Sequence, residues 1–126
     1  MRFKTDLEYT LRCSVKTLFP RLSTAEGLAE WFADDVKVKD DIFTFTWHDW
    51  ETQAKLVAKK ENKYTRFEWL DHTTKKPHYF EFTIDVHELT GDLFLTITEE
   101  AEHDNEEDVE IMWDAHISDL KRFLGI

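Results

Sequence analysis

Hydrophobic and polar residues alternate from the first positions of the chain. In "RFKTDLEYTLRC", Phe3, Leu7, Tyr9 and Leu11 share one face, while Lys4, Asp6, Glu8 and Arg12 share the other. This is the period-two pattern of a strand with one wetted side. Two short helical segments follow. Ser14 is placed to cap "VKTLFP", which Pro20 is expected to end. Ser23 or Thr24 is placed to cap "AEGLAEWF", and Glu26 completes a capping box if Ser23 is the cap. Each segment is only about two turns long, too short to hold a helix in water by itself. Gly27 weakens the second further, so Trp31 and Phe32 are its expected anchors.

From Val36 to about Glu99 the alternation returns. "IFTFTW" puts Phe43, Phe45 and Trp47 on one face, "YTRFEW" puts Phe67 and Trp69 there, and "HYFEFTIDVH" adds Phe80, Phe82, Ile84 and Val86. "LFLTI" contributes Leu93, Leu95 and Ile97, while Thr44, Thr46, Arg66, Glu68, Glu81, Thr83 and Asp85 fall on the opposite side. Asp40-Asp41, His48-Asp49, Glu61-Asn62-Lys63 and Thr90-Gly91-Asp92 supply turn chemistry between the runs. The pattern predicts antiparallel strands with one apolar and one solvated face.

The period changes to helical in "DNEEDVEIMWDAHISDLKRFLGI". Val109, Met112, Trp113, His116, Ile117, Leu120, Phe123 and Leu124 form one stripe, opposite Glu110, Asp114, Ser118, Lys121 and Arg122. Asp104 or Asn105 suits the N-cap, and Lys121 and Arg122 suit the negative end of the helix. Together the elements predict one α+β domain over residues 1–126. A curved antiparallel sheet of about six or seven strands wraps a long C-terminal helix, with two short helices after the first strand.

Composition narrows the function classes. Ten Phe, five Trp and three Tyr in 126 residues exclude a disordered chain and imply an interior packed with large residues or occupied by a ligand. The net charge of −11 argues against nucleic acid and against anionic membranes as partners. The opening "MRFKTDLEYT" lacks the apolar core of a signal peptide, and no segment reaches membrane-spanning length, so membrane insertion is not expected. With Cys13 as the single cysteine no internal disulfide forms, which fits the cytoplasm.

Candidate chemistry is sparse. His48, His72, His78, His87, His103 and His116 show no paired ligand spacing, and Cys13 has no neighbouring thiol, so no metal site is expected. Three glycines leave no phosphate-cradling loop or dinucleotide fingerprint, and there is no nucleophile elbow; no cofactor and no catalytic residue are expected. The acidic run "EEAEHDNEED" reads as a solvated loop and helix start. His116 lies on the apolar stripe, where it serves either as a hydrogen-bonded core residue or as a polar group in a ligand cavity.

The order of these elements, with "TAEGLAEWF" feeding a strand and "WDAHISDLKRFL" closing the chain, resembles the START-like, or SRPBCC, helix-grip superfamily. Thr24, Leu28, Trp31 and Phe32, then Phe45, Phe67 and Trp69, then Trp113, Leu120 and Leu124 carry the resemblance. They are most similar to the bacterial branch related to activators of the heat-shock chaperone ATPase. The resemblance implies a cavity between sheet and terminal helix that holds a small apolar molecule; the lack of a catalytic motif makes non-catalytic binding the expectation. Its expected lining is Phe45, Trp47, Trp69, Phe80, Phe82, Met112, Trp113, His116 and Leu120. The same rings serve equally as core, and the chain is expected to be a monomer or a homodimer.

Two other readings stay open. One is a protein-interaction or chaperone-accessory module, in which Tyr79 and Phe94 point away from the apolar side as exposed aromatics. The other is a cyclase-type enzyme, with His116 as acid or base and Tyr9 as a distant second.

Overall fold

The computed structural model describes the backbone of residues 2–70, 78–102 and 106–126. The proposed cap at Asp104 or Asn105, together with His72, His103 and the side chain of Phe3, lies outside the described residues. The opening alternation forms β1 (Arg2–Leu11), followed by α1 (Val15–Ser23) and α2 (Ala25–Ala29). A strand meander follows: β2 (Asp35–Lys39), β3 (Ile42–Trp47), β4 (Trp50–Lys60), β5 (Tyr64–Trp69), β6 (Tyr79–Val86) and β7 (Leu93–Glu102). The helical period forms α3 (Glu106–Leu124).

The strands make one seven-stranded sheet in the order β1-β7-β6-β5-β4-β3-β2, antiparallel at every step. Turn chemistry sets the register. Asp40 and Asp41 both take positive φ, 51° and 65°, and close a two-residue hairpin between the paired Lys39 and Ile42. His48 at φ 46° does the same between Trp47 and Trp50. The register of β4 against β5 shifts between Leu56 and Ala58, and Val57 there is exposed.

One local expectation is corrected, and one open alternative is decided. Pro20 does not end the first helix: α1 runs to Ser23 with Pro20 inside it. The missing N–H falls opposite the carbonyl of Lys16, an exposed residue in the first turn. Beyond Pro20, Leu22 is fully buried and holds the last turn in place. Of the two candidate caps, Thr24 is the one used. Its hydroxyl accepts from the Gly27 N–H at 2.9 Å, while the Ser23 hydroxyl donates back to the Phe19 carbonyl, so no capping box forms.

The core fills the space between the apolar sheet face and α3. Phe43, Phe45, Phe67, Phe80, Phe82, Leu93, Leu95 and Ile97 come from the sheet, and Val109, Trp113, Ile117 and Leu120 from α3. The Tyr9 O–H donates to the Asp114 carboxylate at 2.6 Å, tying the helix to β1. Tyr79 is not the exposed aromatic expected from its strand position. It is 8% exposed, because the Arg66 guanidinium lies 3.8 Å from its ring centroid, and Phe94 is half-buried. Among the described residues no helix is long and apolar enough to cross a membrane.

Candidate functional site

Where the loop after α2, the end of β3 and the C-terminal half of α3 meet, a solvent-open groove of about 530 Å³ enters the protein. Its walls are Trp31 and Phe32 from the loop, Trp47 from β3, and His116 and Phe123 from α3. Glu30, Asp34, Asp119 and Arg122 stand around them.

Hydrogen bonds hold the loop in position. The Trp31 indole N–H donates to the Arg21 carbonyl at 2.9 Å, fastening the loop to α1. The Trp47 indole N–H donates to the Phe32 carbonyl at 2.7 Å, fastening it to the sheet. Asp34 accepts the His48 backbone N–H at 2.6 Å and so stabilises the β3–β4 turn as well. Phe32 then reaches inward: its ring centroid lies 5.2 Å from Phe45, 5.6 Å from Phe80 and 5.6 Å from Trp113.

The charges of the rim are mostly engaged. Arg21 pairs with Glu30 at 3.1 Å and sets its guanidinium 5.6 Å from the Phe123 ring centroid. Arg122 pairs with Asp119 at 3.3 Å, both on the surface. His116 sits among rings, with centroids at 5.0 Å from Phe32 and 5.5 Å from Trp113. Burial pushes its pKa below 6.5, and the nearby Asp119 carboxylate opposes that in part. The imidazole is therefore neutral at neutral pH and offers one donor and one acceptor.

Of the nine side chains expected to line a cavity, Trp47 and His116 line this groove. Phe45, Phe80, Phe82, Trp113 and Leu120 are packed core, at most 1% exposed. Phe67 and Phe80 stack with centroids 4.9 Å apart, and Phe82 meets Trp113 at 5.8 Å. Trp69 covers Phe80 at 4.9 Å, away from the groove. Met112 is 38% exposed and lies outside this groove, because Val109, Trp113, Ile117 and Leu120 occupy the buried line of α3.

Sequence reasoning missed two features. Phe123, which the pattern puts only on the helix stripe, is 47% exposed and forms the outer wall of the groove. Glu99, which opens the acidic run read as solvated, is 6% exposed and accepts the Trp113 indole N–H at 2.7 Å. The signal was present: Leu93, Leu95 and Ile97 continue in period two to Glu99, so β7 carries a carboxylate onto its inner face.

Reactive chemistry is limited among the described residues. No three His, Cys, Asp or Glu side chains there group to hold a metal ion. Burial raises the pKa of Cys13, with Arg21 opposing, which keeps the thiol protonated and a poor nucleophile. What the groove offers is aromatic surface, a neutral imidazole and a rim of carboxylates.

The whole chain, residues 1–126, matches the family model of the START-like superfamily domain. No curated protein matches it. Among solved structures, BfR322 from Bacteroides fragilis is 38% identical, with a TM-score of 0.69, over 99% of this chain and 93% of that one. The Aha1 dimer from Colwellia psychrerythraea is similar in fold at 14% identity and a TM-score of 0.78, over 94% of this chain and 93% of that one. DynU16, from the dynemicin biosynthetic locus, is similar at 11% identity and a TM-score of 0.78, over 97% of this chain but 47% of that one.

Proposed function

The chain belongs to the START-like superfamily, and on that premise we propose that it binds a small molecule with a flat apolar body in the groove, without transforming it. The observation that carries this reading is the placement of open ring surface. The space under the sheet is filled by Phe45, Phe80, Phe82 and Trp113, whereas Trp47 and Phe123 border about 530 Å³ of groove at the end of the fold. That volume suits a guest of a few rings, and aromatic walls with few polar groups are the usual composition of such sites. His116 would fix the guest by a hydrogen bond rather than by proton transfer, and no residue is assigned a catalytic role. The single cysteine supports a reducing, cytoplasmic setting.

A titration with Nile red, a neutral environment-sensitive dye, tests the reading alongside native mass spectrometry for a co-purified guest. Phe123→Ala removes an exposed wall with little effect on the core and should weaken dye binding several-fold. Absence of both dye uptake and guest would defeat the proposal.

A second reading, self-association, draws on Trp50. This residue is 58% exposed and stacks on Trp47 with centroids 5.3 Å apart, presenting an indole face at the hairpin end. The fold likeness to a dimeric protein supports the same reading. Light scattering on the wild type and on Trp50→Ser decides it: a monomer in both removes this reading.

A further inference from the structure

The charge around the groove states which guests it prefers. Three carboxylates, Glu30, Asp34 and Asp119, stand at the groove against one guanidinium, Arg122. Arg21 neutralises Glu30 from outside and Arg122 neutralises Asp119, which leaves Asp34 without a basic partner among the described residues. Asp34 accepts a backbone N–H from His48, a neutral donor that does not cancel its charge. His116 adds no positive charge at neutral pH. The net charge of −11 over the chain deepens the same negative potential.

Ring faces carry negative quadrupole potential: the Phe123 ring at the groove already holds the Arg21 guanidinium 5.6 Å from its centroid, while the Trp47 indole stacks on Trp50. An anionic amphiphile such as a fatty acid meets repulsion at such a site. A positive group on an apolar body meets the charge of Asp34 and the apolar walls together. Building on the groove reading above, we propose that the guest is a small organic cation: an amine or quaternary ammonium on a flat aromatic or short apolar body.

Three probes with similar rings and different charges test this: benzyltrimethylammonium, benzyl alcohol and benzoate. Each is titrated into nitrogen-15-labelled wild-type protein at low salt while the indole N–H signals of Trp31 and Trp47 are followed. The cation should bind about two- to fivefold tighter than the alcohol, with benzoate weakest. The preference should shrink as salt is added. Asp119→Asn should erase most of it, and Arg122→Gln should enlarge it. If benzoate or the alcohol shifts the indoles as well as the cation does, the cation inference is overturned and the groove reading stands. If none of the three shifts either indole, the cation inference is again overturned, and the Nile red titration alone then decides the groove.

Discussion

The ring of Phe32 lies over the indole of Trp113, with planes 15° apart and centroids 5.6 Å apart. The first residue follows a helix of five residues and the second sits in the helix of nineteen, so this contact joins the loop at the groove to the main core. Phe32 also meets Phe45, Trp47 and Phe80, and it is buried.

Phe32→Ala is expected to destabilise the fold by about 3–5 kcal/mol, the usual range for deleting a buried ring. Urea denaturation measures the loss. Hydrogen exchange should show residues 15–33 losing protection before α3 does, since the short helices depend on tertiary contacts. An unchanged midpoint with unchanged protection would refute the anchoring role.

The Glu99 carboxylate beneath Trp113 makes a second, polar dependence. Trp113→Phe keeps a ring in the core but withdraws an N–H from a buried carboxylate, and should cost about 2–3 kcal/mol. Adding Glu99→Gln should recover part of that, because an amide lacking one donor is less costly to bury than a carboxylate. Thermal melts of the single and double variants check the pair, and strict additivity would disprove the coupling.

Gly27 gives a prediction opposite in sign to helix propensity. A Cβ there would lie 2.0 Å from the Pro20 carbonyl oxygen and 2.6 Å from the Arg21 Cα. Replacing a helical glycine by alanine normally stabilises by about 1 kcal/mol, but here α1 and α2 would have to separate. Gly27→Ala should therefore destabilise by about 1–3 kcal/mol, the range for overpacking. A raised melting temperature would contradict the close approach.

His116 confers acid sensitivity. Burial lowers its pKa below 6.5 in the folded state, with Asp119 opposing. The unfolded chain then takes up the proton first, so the stability tied to the neutral ring is present above 6.5 and is lost as pH falls toward the folded pKa. The groups facing it from the loop and α3 are Glu30, Asp34, Asp119 and Arg122. His116→Gln should flatten the decline in urea midpoint between about pH 7 and pH 5 relative to the wild type. Parallel curves for the two proteins would show that other groups carry the effect.

The strands and α3 were legible in the residue pattern because each has a wet and a dry side, and burial imposes period two on one and the helical period on the other. The hairpins at Asp40-Asp41 and His48-Asp49 were legible because few residues accept positive φ. Periodicity reports which face a side chain takes, not how far along a curved sheet its neighbours close over it. Phe45 and Trp47 share a face two residues apart, yet only Trp47 borders open space, because the loop carrying Phe32 covers Phe45 and stops at the strand end. The groove itself needs residues 29–34, Trp47 and 116–123 brought together, and no local signal encodes that meeting. Glu99 marks the same boundary from the other side: alternation placed it inward, but the acids around it suggested water, and only the packing of Trp113 against β7 decided that it is buried.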